Sequence, residues 1–398
     1  MSSYIELHAH SAYSFLDGAS QPEELAARAA ELGYPALALT DHDGVCGSLE
    51  FASAAKHFGV RAITGAEVTL TGGAHVTLLV EDSRGYGNLC RLLTAAHAHT
   101  RDNTTRDPLP PALEPRLLVE HNAGLVCLSG CARDGVGVHY PNLAAELARA
   151  FGRDRFYVEL QRPYERGDAR RNARLRDLAD ALKVQTVATG DVHAHDQRRA
   201  ALQDVLVAVR CRTSLDGCER ERRGNHESVL ASPQAMADRF PEDRDAVART
   251  VELAERLQFD LTQELGYRYP DFSDGEESAS AQLRRVCERT FAERYGAGTA
   301  QHRARLAEEL ALIDELGLAG FFLLHWEVLE LAREGALRVR GPGSVRHVLP
   351  PGRGRGSSVG SLVCYLTGLS HVDPVANNLS LGRFLNRELA SVPDIDLD

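Results

Sequence analysis

Apolar and polar positions along residues 4–212 fall into two alternating periods. Short apolar runs of strand character lie at Ile5–Leu7, Ala36–Thr40, Arg61–Val68, Val76–Val80, Leu125–Ser129, Phe156–Leu160 and Thr186–Thr189. Between most of them lie stretches with helical spacing: Pro22–Gly33, Gly47–Gly59, Tyr86–Thr100, Leu143–Phe151, Asp168–Lys183 and Arg198–Arg210. The first opens with Pro22, Glu23 and Glu24 and closes at Gly33. Proline and acids suit the first turn of a helix, and glycine suits its end. Strands alternating with helices predict a parallel sheet, open or closed into a barrel.

After Arg212 the alternation stops. A turn and short strand are expected over Asn225–Ser232, then helices over Ser232–Phe240 and Asp243–Leu257. The aromatic-rich stretch Gly266–Phe272 and the polar run Ser273–Ser278 predict a domain boundary near 270–278, dividing the chain into 1–272 and 273–398. Beyond it, helices are predicted at Ala279–Tyr295 and Gln301–Leu316, followed by a buried segment at Gly320–Trp326 and a helix reaching Gly335.

Composition narrows the class. The chain has 398 residues, 43% hydrophobic and 25% charged, ordinary values for a soluble globular protein. It has no apolar run long enough to span a bilayer and no signal-peptide pattern at its start, so a cytoplasmic location is expected. A net charge of −11 argues against indiscriminate binding of nucleic acid by the whole surface, though not against a local basic groove. The 8 cysteines are scattered without a C-x-x-C pair, so buried, inert thiols are expected rather than a zinc ribbon or disulfides.

The chemistry lies at the strand ends. His8 and His10 are two apart, so on a strand they share a face and can grip one cation. The second strand ends in Thr40-Asp41-His42-Asp43, the third carries Gly65-Ala66-Glu67, the fifth ends in Ser129-Gly130-Cys131, and the seventh in Gly190-Asp191-Val192-His193. Each motif alone is weak. Five at equivalent ends of successive strands predict a metal site at the mouth of a parallel barrel. Asp17 lies in the loop after the first strand, where Asp-Gly also serves simply as a turn. His97 and His99 sit on one helix and cannot share a face, so at most one reaches the mouth. His57, His75, His121, His139 and His195 are expected to be surface or structural, His75 because it begins a strand.

Together these segments resemble a PHP (polymerase and histidinol phosphatase) domain. The resemblance implies a distorted seven-stranded (β/α) barrel with up to three metal ions at its mouth. It implies the ligands His8, His10, Asp17, His42, Glu67, His97, Cys131, Asp191 and His193. Asp17 and Cys131 stand where many stand-alone PHP phosphatases use histidine, as in PHP domains fused to bacterial C-family DNA polymerases. The mixed donor set accommodates zinc, manganese or iron. Paired divalent ions of this kind activate water and stabilise the oxygens of a phosphoester in hydrolysis.

The end of the chain points the same way. Between Arg333 and Arg355 stand six arginines and one acid, centred on Gly352-Arg353-Gly354-Arg355-Gly356-Ser357-Ser358. Glycines and arginines before a helix starting near Ser358 read as a phosphate cradle, or as a solvated Gly/Arg loop. Pro393-Asp394-Ile395-Asp396-Leu397-Asp398 places alternate carboxylates on one face of a strand, a donor set suited to magnesium. In this order the motifs resemble the start of the palm of a C-family DNA polymerase, and the N-terminal segments most resemble its error-prone branch. That resemblance implies an α+β partial palm, with Asp396 and Asp398 as catalytic metal ligands and Arg355, Gly356 and Ser357 at the phosphates of the incoming nucleotide. Residues 341–350 look like an insertion before the cradle.

Three functions follow. The first is the N-terminal portion of an error-prone polymerase, acting on primer-template DNA and dNTPs in the full-length protein. A sliding clamp and other repair subunits would engage its missing regions, and its PHP domain would be a multi-metal phosphodiesterase, with 3′–5′ exonuclease as the candidate activity. The second is a stand-alone phosphoesterase for small esters, and the third a metal-stiffened scaffold without catalysis. The rest of the palm, the thumb and the fingers are not in this sequence, so polymerisation is not expected from these residues alone.

Overall fold

The computed structural model describes residues 4–101, 109–264, 277–345, 356–382, 384–386 and 395. The chain divides into two compact units, Met1–Gly266 and Tyr267–Asp398.

In the first unit six strands form one curled sheet in the order of the chain. They are β1 (Ala36–Leu39), β2 (Arg61–Thr69), β3 (His75–Val80), β4 (Leu125–Leu128), β5 (Phe156–Gln161) and β6 (Gln185–Thr189). β1 and β2 pair in parallel, as do β4 with β5 and β5 with β6. β3 runs antiparallel to both β2 and β4, unlike the all-parallel sheet the pattern predicts. The cause is local: only the turn Leu70–Ala74 separates β2 from β3, with Leu70 N–H donating to Ala74 O, and a parallel crossover needs a dozen residues or more.

The expected first strand takes a different form. Residues 5–10 bridge Leu37 of β1 through Glu6 and Val192, beyond β6, through Ala9. This single segment therefore joins the two edges of the sheet. Ile5 and Leu7 belong to the cluster inside the curl. His8 faces the interior as well, bonding Glu159. The strict alternation breaks between 7 and 8, which leaves isolated bridges instead of a continuous ladder.

Strand parity separates two cores. Ala38, Ile63, Leu79, Val126, Leu128, Tyr157 and Val187 face inward with Ile5 and Leu7. Leu253, Ala254 and Leu257, from the end of helix Arg244–Arg256 and just after it, join this inner cluster. Thr250 Oγ1 of that helix accepts from Ile5 N–H at 3.0 Å. The opposite parity, including Leu37, Leu39, Leu78, Cys127, Val158 and Leu160, packs beneath the outer helices. One of those helices, Pro22–Glu31, begins with Pro22 as expected, and Glu24 accepts from Gln21 N–H at 2.9 Å.

The second unit is helical among its described residues, with helices Ala279–Tyr295, Ala300–Glu315, Ala319–Arg340 and Leu362–Leu366. The segment at 320–326, buried over 320–323 and partly exposed over 324–326, is continuous with the helix after it. Its core is built on Leu283, Phe291, Leu310, Phe322, Leu362 and Phe384. Among the described residues no helix is long and apolar enough to cross a membrane.

Candidate metal centre

Above the apolar layer, the inward positions of the same strands turn polar. Glu159 and Gln161 of β5, Thr189 of β6 and Thr77 of β3 are all buried there. Glu159 Oε1 accepts from His8 Nδ1 at 2.6 Å, from Gln161 Nε2 at 2.8 Å and from Thr189 Oγ1 at 2.5 Å. A carboxylate on Nδ1 holds the proton there and leaves Nε2 as a lone-pair donor. His10 is oriented similarly: its Nδ1 is 3.2 Å from Ser14 Oγ, which donates to Asp41 Oδ1 at 2.7 Å. His193 Nδ1 is 3.0 Å from Asp191 O.

The freed atoms converge. His8, His10 and Asp191 each offer a ligand atom within 4.8 Å of the others, and His10 Nε2 lies 3.6 Å from Asp191 Oδ1. His8 Nε2, His10 Nε2 and Asp191 Oδ1 are buried without a hydrogen-bond partner, as are Glu67 Oε1 and His75 Nδ1. Glu67 reaches His8 at 3.7 Å, His10 at 3.6 Å, His42 at 2.9 Å and His75 at 3.4 Å. Two further triads, His42–Glu67–His75 and His10–His42–His193, meet the same spacing. Buried polar atoms left unbonded are costly. Lone pairs from imidazole and carboxylate aimed at common points are what divalent cations satisfy, so these residues fit a metal cluster.

The carboxylates draw positive charge into the cluster. Burial works against an ionised Glu67, yet His42, His75 and His8 hold its pKa well below the usual carboxylate range. Burial also opposes a charged His42 or His8, but Glu67 and Asp17 lift the His42 pKa to about 10, and Glu159 and Glu67 raise that of His8, so without metal these rings hold protons that a bound cation would displace. His10 is pushed down by burial and by His193 and His42, so it stays neutral and able to ligate.

Of the residues expected at the site, His8, His10, Asp17, His42, Glu67, Asp191 and His193 come together. Asp17 Oδ2 lies 3.2 Å from both His42 Nε2 and His193 Nε2. Cys131 is buried at the end of β4, its Sγ accepting from Asp134 N–H at 3.4 Å. Burial, with Glu67 and Asp191, raises its thiol pKa, so it senses both carboxylates, yet it stands outside the three triads. His97 is exposed, its Nε2 is 2.7 Å from Asp43 O, and it is in none of the three triads.

Other participants escape the sequence pattern. His75 enters because β3 is reversed, which brings its first residue to the mouth. Arg223, from the loop after the alternation ends, donates to Asp191 Oδ2 and lies against His193 Nε2, each at 2.6 Å. Glu6 fastens the closing segment: its carboxylate accepts from Gly190 N–H at 2.9 Å and from Tyr4 Oη at 2.7 Å. A Cβ at Gly190 would lie 2.5 Å from Glu6 Oε2, so only glycine allows this approach.

In the second unit, Gly356–Gly360 forms a 3-10 turn, with Gly356 at φ +65° and Ser357 half-buried. The following helix starts at Leu362 rather than near Ser358, and its first amides are already occupied by a carboxylate of the chain itself. Glu309 takes them, accepting from Leu362 N–H at 2.9 Å, Val363 N–H at 3.0 Å and Ser361 Oγ at 2.9 Å. Arg355, Asp394, Asp396, Asp398 and residues 346–350 of the apparent insertion lie outside the described residues.

Comparison with known proteins finds two domain matches, one within each unit. Residues 6–163 match the PHP domain, and residues 281–398 match the bacterial DNA polymerase III alpha NTPase domain. An error-prone DNA polymerase of Symbiobacterium thermophilum is 38% identical over 421 aligned residues, covering 100% of this chain and 37% of the relative. One from Mycobacterium bovis is 36% identical over 418, covering 99% and 36%. The chain thus spans a little over a third of the length of the curated relatives it matches. Among solved structures, a protein from Bifidobacterium adolescentis assigned as a metal-dependent phosphoesterase aligns with a TM-score of 0.39 at 14% identity, covering 48% of this chain and 88% of that one. The chain thus contains a PHP domain and a bacterial DNA polymerase III alpha NTPase domain and, over its own length, is similar to about a third of the length of the error-prone DNA polymerases.

Proposed function

We propose that the first unit is a metal-dependent phosphodiesterase acting on the 3′ end of a DNA strand, within a polymerase that synthesises DNA in an error-prone manner. The observation that carries this reading is the convergence of five buried, unbonded donor atoms on His8, His10, Glu67, His75 and Asp191. His42, Asp17 and His193 complete the set, with Cys131 at its margin. Zinc, manganese or iron would suit it. When bound, such ions supply an activated water and charge stabilisation for phosphoester cleavage.

The chain's own residues do the rest. Glu159, Ser14 and the Asp191 carbonyl fix the imidazoles of His8, His10 and His193. The inner residues exclude water: His8, His10 and Glu67 are at most 1% exposed. The His42 and His75 side chains are 24% and 18% exposed, so the phosphate reaches the centre on their side.

In the complete polymerase, Asp396 and Asp398 would hold magnesium, and Arg355, Gly356 and Ser357 would contact the phosphates of the incoming dNTP. Primer-template DNA would be the substrate, a sliding clamp and repair subunits would bind elsewhere, and the setting would be the cytoplasm.

A second reading draws on the burial of the centre: a metal scaffold that stiffens the barrel without turnover. Elemental analysis together with hydrolysis of 3′-labelled single-stranded DNA decides. Release of 3′ nucleotides that His10→Ala abolishes, with the fold intact, supports the phosphodiesterase. Bound metal with no hydrolysis supports the scaffold, and hydrolysis of small phosphate esters alone points to a small-molecule phosphoesterase.

A further inference from the structure

A cavity of about 310 Å³ opens between the loop that follows β4 and the start of helix Asp168–Leu182. Four arginines, Arg133, Arg170, Arg171 and Arg174, line it together with His139, and no acidic side chain does. In a chain of net charge −11, this concentration of cations is the reverse of the average surface.

Two of the four arginines are committed to the fold. Arg171 pairs with Asp168 at 2.6 Å. Arg133 donates to Glu221 O at 2.8 Å and Arg222 O at 2.9 Å. Arg170 and Arg174 are exposed and form no ion pair among the described residues. They stand four apart on the helix, a spacing at which like charges repel, so the fold gains nothing from the pair. Unpaired guanidinium groups in a concave wall are the usual receptor for phosphate oxygens.

The cavity is tied to the metal centre at two points. Its wall residues Ala132 and Arg133 directly follow Cys131. The carbonyls that Arg133 holds belong to the two residues before Arg223, which bonds Asp191 and His193. No Phe, Tyr or Trp lines the cavity, and His139 is the one ring among its lining residues, so arginines rather than a stacking platform dominate it. A ligand gripped there is held by its backbone.

We propose that this cavity binds the phosphodiester backbone of a single-stranded nucleic acid whose end enters the metal centre, with Arg170 and Arg174 as the phosphate contacts. The proposal rests on the phosphodiesterase reading for its choice of ligand. The charge, the concavity and the link to Arg223 stand without it.

The test is fluorescence anisotropy of a short 3′-labelled single-stranded oligonucleotide with the full chain, over a salt series, alongside metal content and melting temperature. Arg170→Glu/Arg174→Glu is expected to bind roughly 10-fold more weakly at low salt, with the slope of log affinity against log salt shallower by about 1.4, roughly 0.7 for each lost phosphate contact. Metal content and melting temperature are expected to match the parent. Should the charge reversal disturb folding, Arg170→Gln/Arg174→Gln keeps helix propensity and is expected to give the same shallower slope. An unchanged affinity and slope in a folded variant overturns the proposal, as does cleavage of the strand with unchanged KM. Binding that depends on the two arginines, with no cleavage under any metal, upholds the cavity and removes the phosphodiesterase reading.

Discussion

His75 Nδ1 lies 3.4 Å from Glu67 Oε1 across the antiparallel pair β2–β3, and both atoms are buried without a hydrogen-bond partner. Burial opposes a charged His75, but Glu67 raises its pKa, so without metal a proton sits between the two, and a bound cation would take that proton's place. With the His42–Glu67–His75 triad meeting ligand spacing, His75 is expected to contribute to metal retention. His75→Ala should weaken the binding of one ion on the order of 10- to 100-fold, measured by chelator competition followed by elemental analysis. His57→Ala, at an exposed helix position, should leave retention unchanged. Full retention in His75→Ala would remove His75 from the site.

The same pair marks the limit of what the sequence reveals. The β/α rhythm, the strand positions from β1 to β6 and the polar residues at the strand ends are all legible, because period and apolar content carry them. Strand direction is not. A five-residue link between β2 and β3 permits only an antiparallel return, and once β3 is reversed the residue at its start becomes the one at the mouth. Counting that link would have recovered His75. Arg223 left no comparable signal, since it sits in an irregular loop and reaches Asp191 only through tertiary packing. Glu159 also escapes the pattern, although an acid in an apolar strand calls for a partner when that strand is buried.

Arg223 yields a prediction that separates a cation from a brace. Its guanidinium neutralises Asp191 and lies 3.8 Å from Asp17. Burial works against its charge, but Asp191 and Asp17 push its pKa up. Arg223→Gln should destabilise the chelator-treated protein by about 3 kcal/mol, the scale for breaking one side of a buried pair. Saturating divalent metal should recover much of that loss, because a cation at Asp191 replaces the lost charge. Denaturant melts with and without metal measure both arms. An equal loss in the two conditions would mean that Arg223 only braces its loop.

The thiols test the packing. Cys127, Cys131, Cys218, Cys287 and Cys364 are buried, Cys46 is exposed, and Cys90 and Cys211 lie between. Burial raises the pKa of the Cys287 thiol to about 12, with Glu309 adding to the effect, and it pushes Cys127 and Cys364 up as well. Thiolate is the reactive form. Alkylation of the folded chain at neutral pH should mark Cys46 first, then Cys90 and Cys211, and should spare the other five until denaturant is added. Mass mapping of the labelled peptides reads this directly, and early labelling of Cys287 or Cys364 would contradict the core of the second unit.

Glu309 supplies the last prediction, in the second unit. Its fully buried carboxylate accepts from Ser361, Leu362 and Val363 and pairs with Arg305 at 2.7 Å. Both oxygens are surrounded by donors, so either orientation of a glutamine amide would set an NH₂ group against an N–H or O–H. Glu309→Gln should therefore cost on the order of 1–3 kcal/mol, and Glu309→Leu more, since it strands three donors and the Arg305 guanidinium. The loss should be confined to the segment that Glu309 anchors. Amide exchange at Leu362–Leu366 should accelerate in the full-length chain, while the metal content of the first unit stays unchanged. Unaltered exchange there in Glu309→Leu would show that Glu309 does not hold the turn after Gly356 in place.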